Sequence, residues 1–299
     1  MRAVRFHETG GPEVLTVEEA ERPQAGDGEV LIRVRAASVN PVDWKVRSGG
    51  YGDVDFPATP GRDGAGTVEE SNDGRFAPGD DVFGNIAKTY AEYVVAPADA
   101  IAKKPDGLSF EQAAAIPVAG LTAWQGLFDK GGLESGQTAL VAGAAGGVGH
   151  FAVQFARQAG ARTIGTGSSR NRDFVLGLGA DDFVDYTSQD ASDAVSDVDV
   201  ALDTVGGDVT ATVVPTLREG GAIVTIASAP PEEAAAQRGA RAIMHVTSPN
   251  PEELTRIAEL VLSREVRIEI SEVMALDEAR RAHQESQGGH VRGKIVLTL

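Results

Sequence analysis

The chain has 299 residues, 42% of them hydrophobic, no cysteine, and a formal net charge of −17 from 27 Lys and Arg against 44 Asp and Glu. The length suffices for about two domains, and the absence of cysteine excludes disulfides, thiolate zinc sites, iron–sulfur clusters and a cysteine nucleophile. The negative charge argues against a nucleic-acid partner, and fits either an ordinary solubilising surface or a source that lives in high salt. The N-terminal MRAVRFHETG lacks the apolar stretch of a signal peptide, and no segment approaches the roughly 18 apolar residues of a membrane span, so we expect a cytoplasmic protein without a membrane partner.

The first hundred residues have the pattern of short strands separated by turns. Residues 29–37 alternate, with Ile32 and Val34 on one face and Arg33 and Arg35 on the other, which predicts a half-buried strand. Glycine and proline pairs punctuate the rest of this region. We therefore expect a compact, mostly antiparallel β unit here.

After residue 105 the pattern changes to helices that alternate with apolar strands. Ser109, followed three positions later by Gln112, predicts a capped helix start. Nearly continuous apolar strands separated by helices are typical of a parallel sheet in an α/β domain. The last helix and strand return to the sequence pattern of the first hundred residues. We therefore expect the N- and C-terminal pieces to form one discontinuous domain. The predicted strands are 138–143, 162–165, 182–184, 198–203, 221–227, 240–246 and 294–299, and the predicted helices are 118–129, 148–159, 251–264 and 277–287.

A glycine-rich turn connects the first of these apolar strands to the next helix. Its sequence AGAAGGVG places Ala144, Gly146 and Gly149 at the three small-residue positions of a G-x-G-x-x-G fingerprint. The small first residue permits the tight turn, Gly146 lets the backbone approach a pyrophosphate, and Gly149 lets the helix pack on the strand. Together with Gly147 and Val148, they predict a phosphate site at a helix N-terminus. A purely structural turn is the alternative, which the strand before, the helix after and the further strands disfavour.

The end of the second apolar strand bears on the type of dinucleotide. An NAD site would place Asp or Glu there to bind the ribose hydroxyls, but residues 166–172 read TGSSRNR. The hydroxyls of Ser168 and Ser169 and the guanidinium groups of Arg170 and Arg172 suit a dianionic 2′-phosphate, with Arg170 as the assigned contact. We therefore predict NADPH as the cofactor, with a helix cap flanked by exposed arginines as the alternative.

The order of several motifs along the whole chain resembles the medium-chain dehydrogenase/reductase superfamily, and within it the zinc-free NADPH:quinone oxidoreductase branch. The resemblance implies a β-rich GroES-like catalytic domain formed by residues 1–117 and 265–299. It implies a Rossmann-type doubly wound parallel sheet in residues 118–264 that binds NADPH. It also suggests a homodimer, for which pairing of edge strands is one route. The motifs are PGRDGAG (60–66), AGLTAW (119–124), AAGGVG (144–149), DTVGG (203–207) and GKIVL (293–297).

The residues that bind zinc in the alcohol dehydrogenases of this superfamily are replaced. Those enzymes use a Cys in an early loop, where this chain has Asn40, and a His in a GHE motif, where it has Gly61-Arg62-Asp63. A guanidinium cannot ligate zinc, so we predict no metal site and interpret Asp63 as a structural carboxylate. Without a Lewis acid, alcohol dehydrogenation is disfavoured.

The resemblance implies further site residues. Asn40 would lie near the nicotinamide, where its amide could hold an acceptor oxygen, and Tyr51 would line the substrate cleft and stack on a ring or donate a proton. A turn cap and an exposed loop aromatic are the respective alternatives. The other implied cofactor contacts are Thr122, Tyr186, Val205, Ala227, Ser228 and Val246.

These observations predict a zinc-independent oxidoreductase that transfers hydride from NADPH to a small-molecule electron acceptor. A quinone or an α,β-unsaturated carbonyl compound is expected, because such acceptors are already electron-poor. Two alternatives stay open: an enoyl-thioester reductase of the same superfamily, and a non-catalytic NADPH-binding protein.

Overall fold

The computed structural model describes residues 1–299 and contains strands and α-helices in nearly equal share. The strands are β1 (Arg2–Arg5), β2 (Thr16–Glu19), β3 (Glu29–Ser38), β4 (Asp63–Ser71), β5 (Asp81–Asn85), β6 (Tyr93–Pro97), β7 (Ile101–Lys103), β8 (Thr138–Ala142), β9 (Arg162–Gly167), β10 (Asp182–Asp185), β11 (Val198–Asp203), β12 (Leu217–Thr225), β13 (Arg241–Met244), β14 (Ile270–Ala275) and β15 (Lys294–Thr298). The helices are α1 (Pro41–Arg47), α2 (Phe110–Ala115), α3 (Pro117–Trp124), α4 (Gly149–Gln158), α5 (Arg172–Gly177), α6 (Ala191–Ala194), α7 (Asp208–Val213), α8 (Glu232–Gln237), α9 (Pro251–Leu262) and α10 (Ala279–Gln287). None of these helices combines the length and the apolar character needed to cross a membrane.

The chain divides into two compact units. The first unit comprises Met1–Val118, Pro249–Arg264 and Ile268–Leu299, and the second comprises Ala119–Ser248 and Glu265–Arg267. Helix α9 therefore belongs to the first unit, whereas the sequence pattern placed it in the cofactor domain. Its apolar stripe, which includes Leu254 and Ile257, is buried, and the helix packs against β7. Helical periodicity identifies such a stripe but does not say which core it joins.

The first unit is built on a mostly antiparallel sheet. The strand order is β14-β15-β3-β4-β5-β7, with β6 also paired to β3, and β1 and β2 form a separate pair. The alternation predicted for β3 is confirmed, since Ile32 and Val34 are buried while Arg33 and Arg35 are exposed. Strand β15 pairs with β3, so the N- and C-terminal pieces share one sheet.

The second unit is built on six parallel strands in the order β10-β9-β8-β11-β12-β13. From β8 the chain proceeds to β9 and β10 on one side and later to β11, β12 and β13 on the other. The carboxyl ends of strands at such a switch point are where ligands bind in open α/β sheets. The predicted fold class, a Rossmann-type doubly wound parallel sheet with a β-rich GroES-like unit, is confirmed.

Aromatic packing holds α3 and α4 together in the second unit. Phe151 and Phe155 on α4 are buried, and the ring centroids of Trp124 and Phe155 lie 5.3 Å apart in an edge-to-face arrangement. Helix α3 continues as a π-helical segment, Gln125–Lys130, where the sequence pattern predicted uninterrupted helix.

Candidate active site

The turn between β8 and α4 has the close packing that its glycine spacing predicts. A Cβ added to Gly149 would lie 2.1 Å from the carbonyl oxygen of Gly143 and 2.8 Å from Cα of Ala144. Gly143 has φ of 74°, in the left-handed region that favours glycine. Ala144 is fully buried, and its N–H donates to the carbonyl oxygen of Thr166 at 3.0 Å. The backbone therefore turns sharply at the carboxyl edge of the parallel sheet.

The start of α4 fits a dinucleotide pyrophosphate. A Cβ on Gly146 would meet a single atom within 4 Å, the carbonyl oxygen of Gly143 at 3.3 Å, so the space in front of Gly146 is open. Gly146, Gly147 and Val148 are half-buried, and no side chain caps the helix at Val148. Backbone N–H groups at an uncapped helix start, aided by the helix dipole, favour an anion.

Two neighbouring loops lie beside this turn. A Cβ on Gly143 would lie 2.8 Å from Cγ2 of Val205, and a Cβ on Gly206 would lie 3.0 Å from Cβ of Ser228 and 3.3 Å from Cβ of Ala227. The loops that follow β8, β11 and β12 are therefore adjacent. The side chain of Val205 is 50% exposed, which leaves an apolar surface available to a ligand.

A buried carboxylate shapes the loop after β11. Oδ1 of Asp203 accepts the N–H groups of Val205 and Gly206, each at 2.9 Å, and Oδ2 accepts the hydroxyl of Thr210. Asp203 is 0% exposed, and these bonds offset the cost of its burial. The aspartate of the DTVGG motif therefore positions Val205.

The tip of β9 carries the residues predicted to bind a 2′-phosphate. Ser168 is half-buried, and Ser169 and Arg170 are exposed in a short 3-10 turn directly after the strand. Tyr186 lies at the same tip, because its N–H donates to the carbonyl oxygen of Gly167 at 3.2 Å, and its side chain is 54% exposed. The structure thus brings these four predicted site residues together.

Sequence reasoning missed a carboxylate beside this tip. Strand β10 pairs with β9 so that Asp185 lies opposite Gly167. Oδ1 of Asp185 accepts the hydroxyl of Thr187 at 2.7 Å and its N–H at 3.0 Å, and these bonds lower the pKa of Asp185. A search for an acidic residue at the end of the second apolar strand could not identify Asp185, because Asp185 lies at the end of the third apolar strand, β10. The pairing of consecutive parallel strands is the signal that could have indicated it.

Helix α3 and its π-helical extension hold the segment that follows β13. The side-chain amide of Gln125 donates to the carbonyl oxygen of Ser248 at 2.9 Å and accepts its N–H at 3.1 Å. The hydroxyls of Thr122 and Thr247 form a hydrogen bond. Thr122 is 4% exposed whereas Val246 is 68% exposed. Thr122 therefore supports the segment that presents Val246.

A buried ion pair lies at the end of β3 in the first unit. Nζ of Lys294 donates to Oδ1 of Asn40 at 2.6 Å, to the carbonyl oxygen of Val39 at 3.2 Å and to Oδ2 of Asp63 at 3.4 Å. The same Oδ2 accepts the hydroxyl of Ser38 and Nδ2 of Asn40, each at 2.7 Å. Both ends of the Asn40 amide are therefore bound inside the protein, and Asn40 is 4% exposed. The amide is therefore not open to an acceptor, and it does not cap α1 either, since both of its ends bond to Asp63 and Lys294.

The second oxygen of Asp63 holds the first turn of α3. Oδ1 accepts the N–H of Val118 at 2.7 Å, a position where the helix dipole favours negative charge. Asp63 is thus a structural carboxylate, with Lys294 as its ion-pair partner. Arg62, which stands where zinc enzymes carry a His, is exposed. No group of three or more His, Asp or Glu side chains is arranged to hold a metal ion.

Asp43 is a buried carboxyl group at the start of α1. Its Oδ2 accepts the N–H of Asn40 at 2.8 Å and the hydroxyl of Tyr90 at 3.4 Å. Burial raises the pKa of Asp43 to about 7, because the ionised form is poorly solvated. Burial likewise raises the pKa of Tyr90 well above its usual value. The turn at Asn40 is therefore stabilised by a carboxyl group that holds its proton at weakly acidic pH.

Tyr51 lies in the turn after α1 and is 50% exposed. Its side chain makes no hydrogen bond or ring contact with another residue. The phenol is available to a ligand, and its role in proton donation stays a prediction.

Comparison with known proteins matches both units. The family models "Alcohol dehydrogenase GroES-like domain" and "Zinc-binding dehydrogenase" match residues 26–106 and 178–297. The quinone oxidoreductase of Mus musculus is 32% identical, covering 100% of this chain and 98% of that protein. The 2-methylene-furan-3-one reductase of Solanum lycopersicum is 32% identical, covering 99% of this chain and 79% of that protein.

Two solved structures extend the likeness over the whole chain. The quinone oxidoreductase from Coxiella burnetii has 38% identity and a TM-score of 0.95, covering 100% of this chain and 99% of that one. The Escherichia coli quinone oxidoreductase complexed with NADPH has 27% identity and a TM-score of 0.91, covering 100% of both chains. The chain therefore belongs to the zinc-free quinone oxidoreductase branch of the medium-chain dehydrogenase/reductase superfamily, as its motifs predict.

Proposed function

We propose that this protein is an NADPH-dependent oxidoreductase that works without zinc and transfers hydride to a quinone or an α,β-unsaturated carbonyl compound. The observation that carries the proposal is the turn between β8 and α4, where Gly149 permits close packing and Gly146 leaves open space before a helix start. Its relatives include quinone oxidoreductases and a 2-methylene-furan-3-one reductase, and one related structure was solved with NADPH.

We assign cofactor binding to the carboxyl edge of the parallel sheet. Residues 144–149 hold the pyrophosphate through backbone N–H groups, as the open space at Gly146 supports. The nicotinamide end is assigned to the adjacent loops that carry Val205, Ala227 and Ser228, together with Val246. Thr122 acts indirectly in this proposal, since its hydroxyl is bonded to Thr247.

The 2′-phosphate of NADPH is assigned to Ser168, Ser169 and Arg170, with Tyr186 beside them. Two hydroxyls and one guanidinium supply donors and positive charge at an exposed turn. The contact between Tyr186 and Gly167 places the exposed ring at the same tip.

In this reaction the main task of the protein is to position the cofactor and the acceptor. NADPH supplies the hydride when bound, and the chain holds cofactor and acceptor in place. Asn40 contributes by fixing the turn at the end of β3, because both ends of its amide bond to Asp63 and Lys294. Tyr51, with its exposed phenol, is our candidate for the residue that gives the acceptor its proton.

The test is loss of absorbance at the reduced-nicotinamide band, with NADPH as donor and 9,10-phenanthrenequinone as acceptor, in buffer containing EDTA. Turnover that persists under chelation is the expected result. A matched pair of variants, Tyr51→Phe and the fully buried Tyr90→Phe, separates a proton donor from a structural phenol. Loss of turnover is expected from Tyr51→Phe, and a folded protein that turns over no quinone or enone overturns the proposal.

No contact or charge pattern in the structure favours an enoyl-thioester reductase or a non-catalytic binder. We also propose that the protein is a homodimer formed through β13, an edge strand of the parallel sheet. Its last residue, Met244, is 44% exposed, and an unpaired edge is a template for a second copy. Light scattering coupled to size-exclusion chromatography measures the mass that decides this.

A further inference from the structure

The tips of β9 and β10 form one continuous edge in the second unit. The parallel register pairs Asp185 with Gly167, and the next residue, Tyr186, donates its N–H to the carbonyl oxygen of Gly167. A Cβ on Gly167 would lie 3.2 Å from the ring of Phe183, which confirms how closely the two strand ends approach. The side chain of Asp185 therefore starts beside the turn at 168–171.

The carboxylate of Asp185 is held in place and held ionised. Oδ1 accepts two hydrogen bonds from Thr187, which fix the orientation of this carboxylate. These donors and the positive charge of Arg172 stabilise the ionised form and lower the pKa of Asp185. A fixed negative charge thus lies opposite Gly167, at the strand end from which the turn with Ser169 and Arg170 begins.

The charges around this turn do not all favour a phosphate. Arg170 and Arg172 are both exposed and cationic, whereas Asp185 is anionic and half-buried. A 2′-phosphate carries close to two negative charges at neutral pH. One of the two cationic charges is therefore offset by Asp185 before any ligand arrives.

We propose that Asp185 is a specificity-determining residue that weakens the preference of this protein for NADPH over NADH. The inference rests on the proposed 2′-phosphate site at Ser168, Ser169 and Arg170. Asp185 is held by Thr187 beside the tip of β9, where its charge repels the 2′-phosphate. NADH has a hydroxyl at this position, so the repulsion acts on NADPH alone.

The test is Asp185→Asn, which removes the charge and keeps an oxygen that can accept from Thr187. Dissociation constants for NADPH and NADH are measured by nucleotide fluorescence, and those for 2′,5′-ADP and 5′-ADP by competition. We expect NADPH and 2′,5′-ADP to bind about three- to tenfold more tightly, with NADH and 5′-ADP changed less than twofold. This increase in affinity for NADPH and 2′,5′-ADP is expected to become smaller as the salt concentration is raised, because the charges are partly exposed.

Two further variants make the outcome specific. Asp182→Asn lies at the opposite end of β10 and makes the same change in charge at an exposed residue; it is expected to leave all four affinities unchanged. Arg170→Gln tests the proposed 2′-phosphate site itself, and is expected to weaken NADPH and 2′,5′-ADP selectively.

If Arg170→Gln acts as expected and Asp185→Asn leaves the NADPH to NADH ratio unchanged or lowers it, the role of Asp185 is wrong while the phosphate site stands. If Arg170→Gln does not change that ratio, the phosphate site is wrong. If Asp182→Asn raises NADPH affinity as much as Asp185→Asn does, the change in affinity comes from the net charge of the protein and not from the position of Asp185. That result overturns the proposal.

Discussion

At the scale of single residues, Gly146 and Gly149 in the turn after β8 serve different purposes. A methyl group on Gly149 would collide with backbone atoms of Gly143 and Ala144, whereas one on Gly146 would meet a single atom at 3.3 Å. Backbone cannot move aside as a side chain does, so the first collision must distort the turn. Stability therefore depends on Gly149, and ligand access depends on Gly146.

We predict that Gly149→Ala lowers the free energy of unfolding by about 1–3 kcal/mol, as measured by urea denaturation. Gly146→Val is expected to leave the urea midpoint almost unchanged and to weaken NADPH binding at least about tenfold, since its side chain occupies the proposed pyrophosphate space. Equal loss of stability in both variants would contradict this division of roles.

The buried carboxyl of Asp43 makes stability depend on pH. Its pKa in the folded protein is about 7, above the value near 3.9 of an unfolded chain. Because the folded state favours the protonated form, the stabilisation is complete below about pH 4 and is lost as pH rises through about 7.

Asp43→Asn removes this titration and keeps an oxygen that accepts from Asn40. Between pH 5 and pH 8 we predict that wild type loses about 2 kcal/mol relative to Asp43→Asn, measured by urea denaturation at both pH values. The exposed Asp193→Asn is the control and should follow wild type. Parallel pH profiles for wild type and Asp43→Asn would show that Asp43 does not titrate in this range.

At the scale of secondary-structure elements, the π-helical extension of α3 forms a specific contact. It presents Gln125 to both the N–H and the carbonyl of Ser248, and so ties one helix to the segment after β13. Local sequence predicts helix here, because a π-helical turn is a local i→i+5 variation within an α-helix.

We predict that Gln125→Ala lowers the free energy of unfolding by about 1–2 kcal/mol, because two partly buried hydrogen bonds to the backbone of Ser248 are lost. The released segment carries Val246, so the dissociation constant for NADPH should also rise. Gln284→Ala on the exposed face of α10 is the matched control and should change stability by less than about 0.5 kcal/mol. A Gln125→Ala protein as stable as this control would remove the assigned role.

At the scale of the whole molecule, cofactor contacts are assigned to one edge of one sheet. The turn at 143–149, the tip at 168–170 and the loop at 203–206 follow three strands of the second unit. The β1–β2 pair belongs to the first unit and contains no assigned contact.

Hydrogen exchange tests this distribution. Saturating NADPH is expected to slow exchange in all three segments of the second unit and to leave β1 and β2 unchanged. 5′-ADP, which lacks the 2′-phosphate, is the matched ligand, and should slow 143–149 more than 168–170. Protection of β1–β2 without protection of 143–149 would contradict the assignment.

The sequence by itself determined the class of the fold and the position of the glycine turn, because hydrophobic periodicity and the need for glycine are local properties. The exposed tip at Ser169 and Arg170 could be read in the same way. Only the tertiary structure decided which charges meet. It paired Lys294 with Asp63 across 231 positions, bound both ends of the Asn40 amide, and brought Asp185 to the tip of β9. It also assigned α9 to the first unit. Such contacts depend on strand order and on which cores the helices join, and neither is encoded within a short window of sequence.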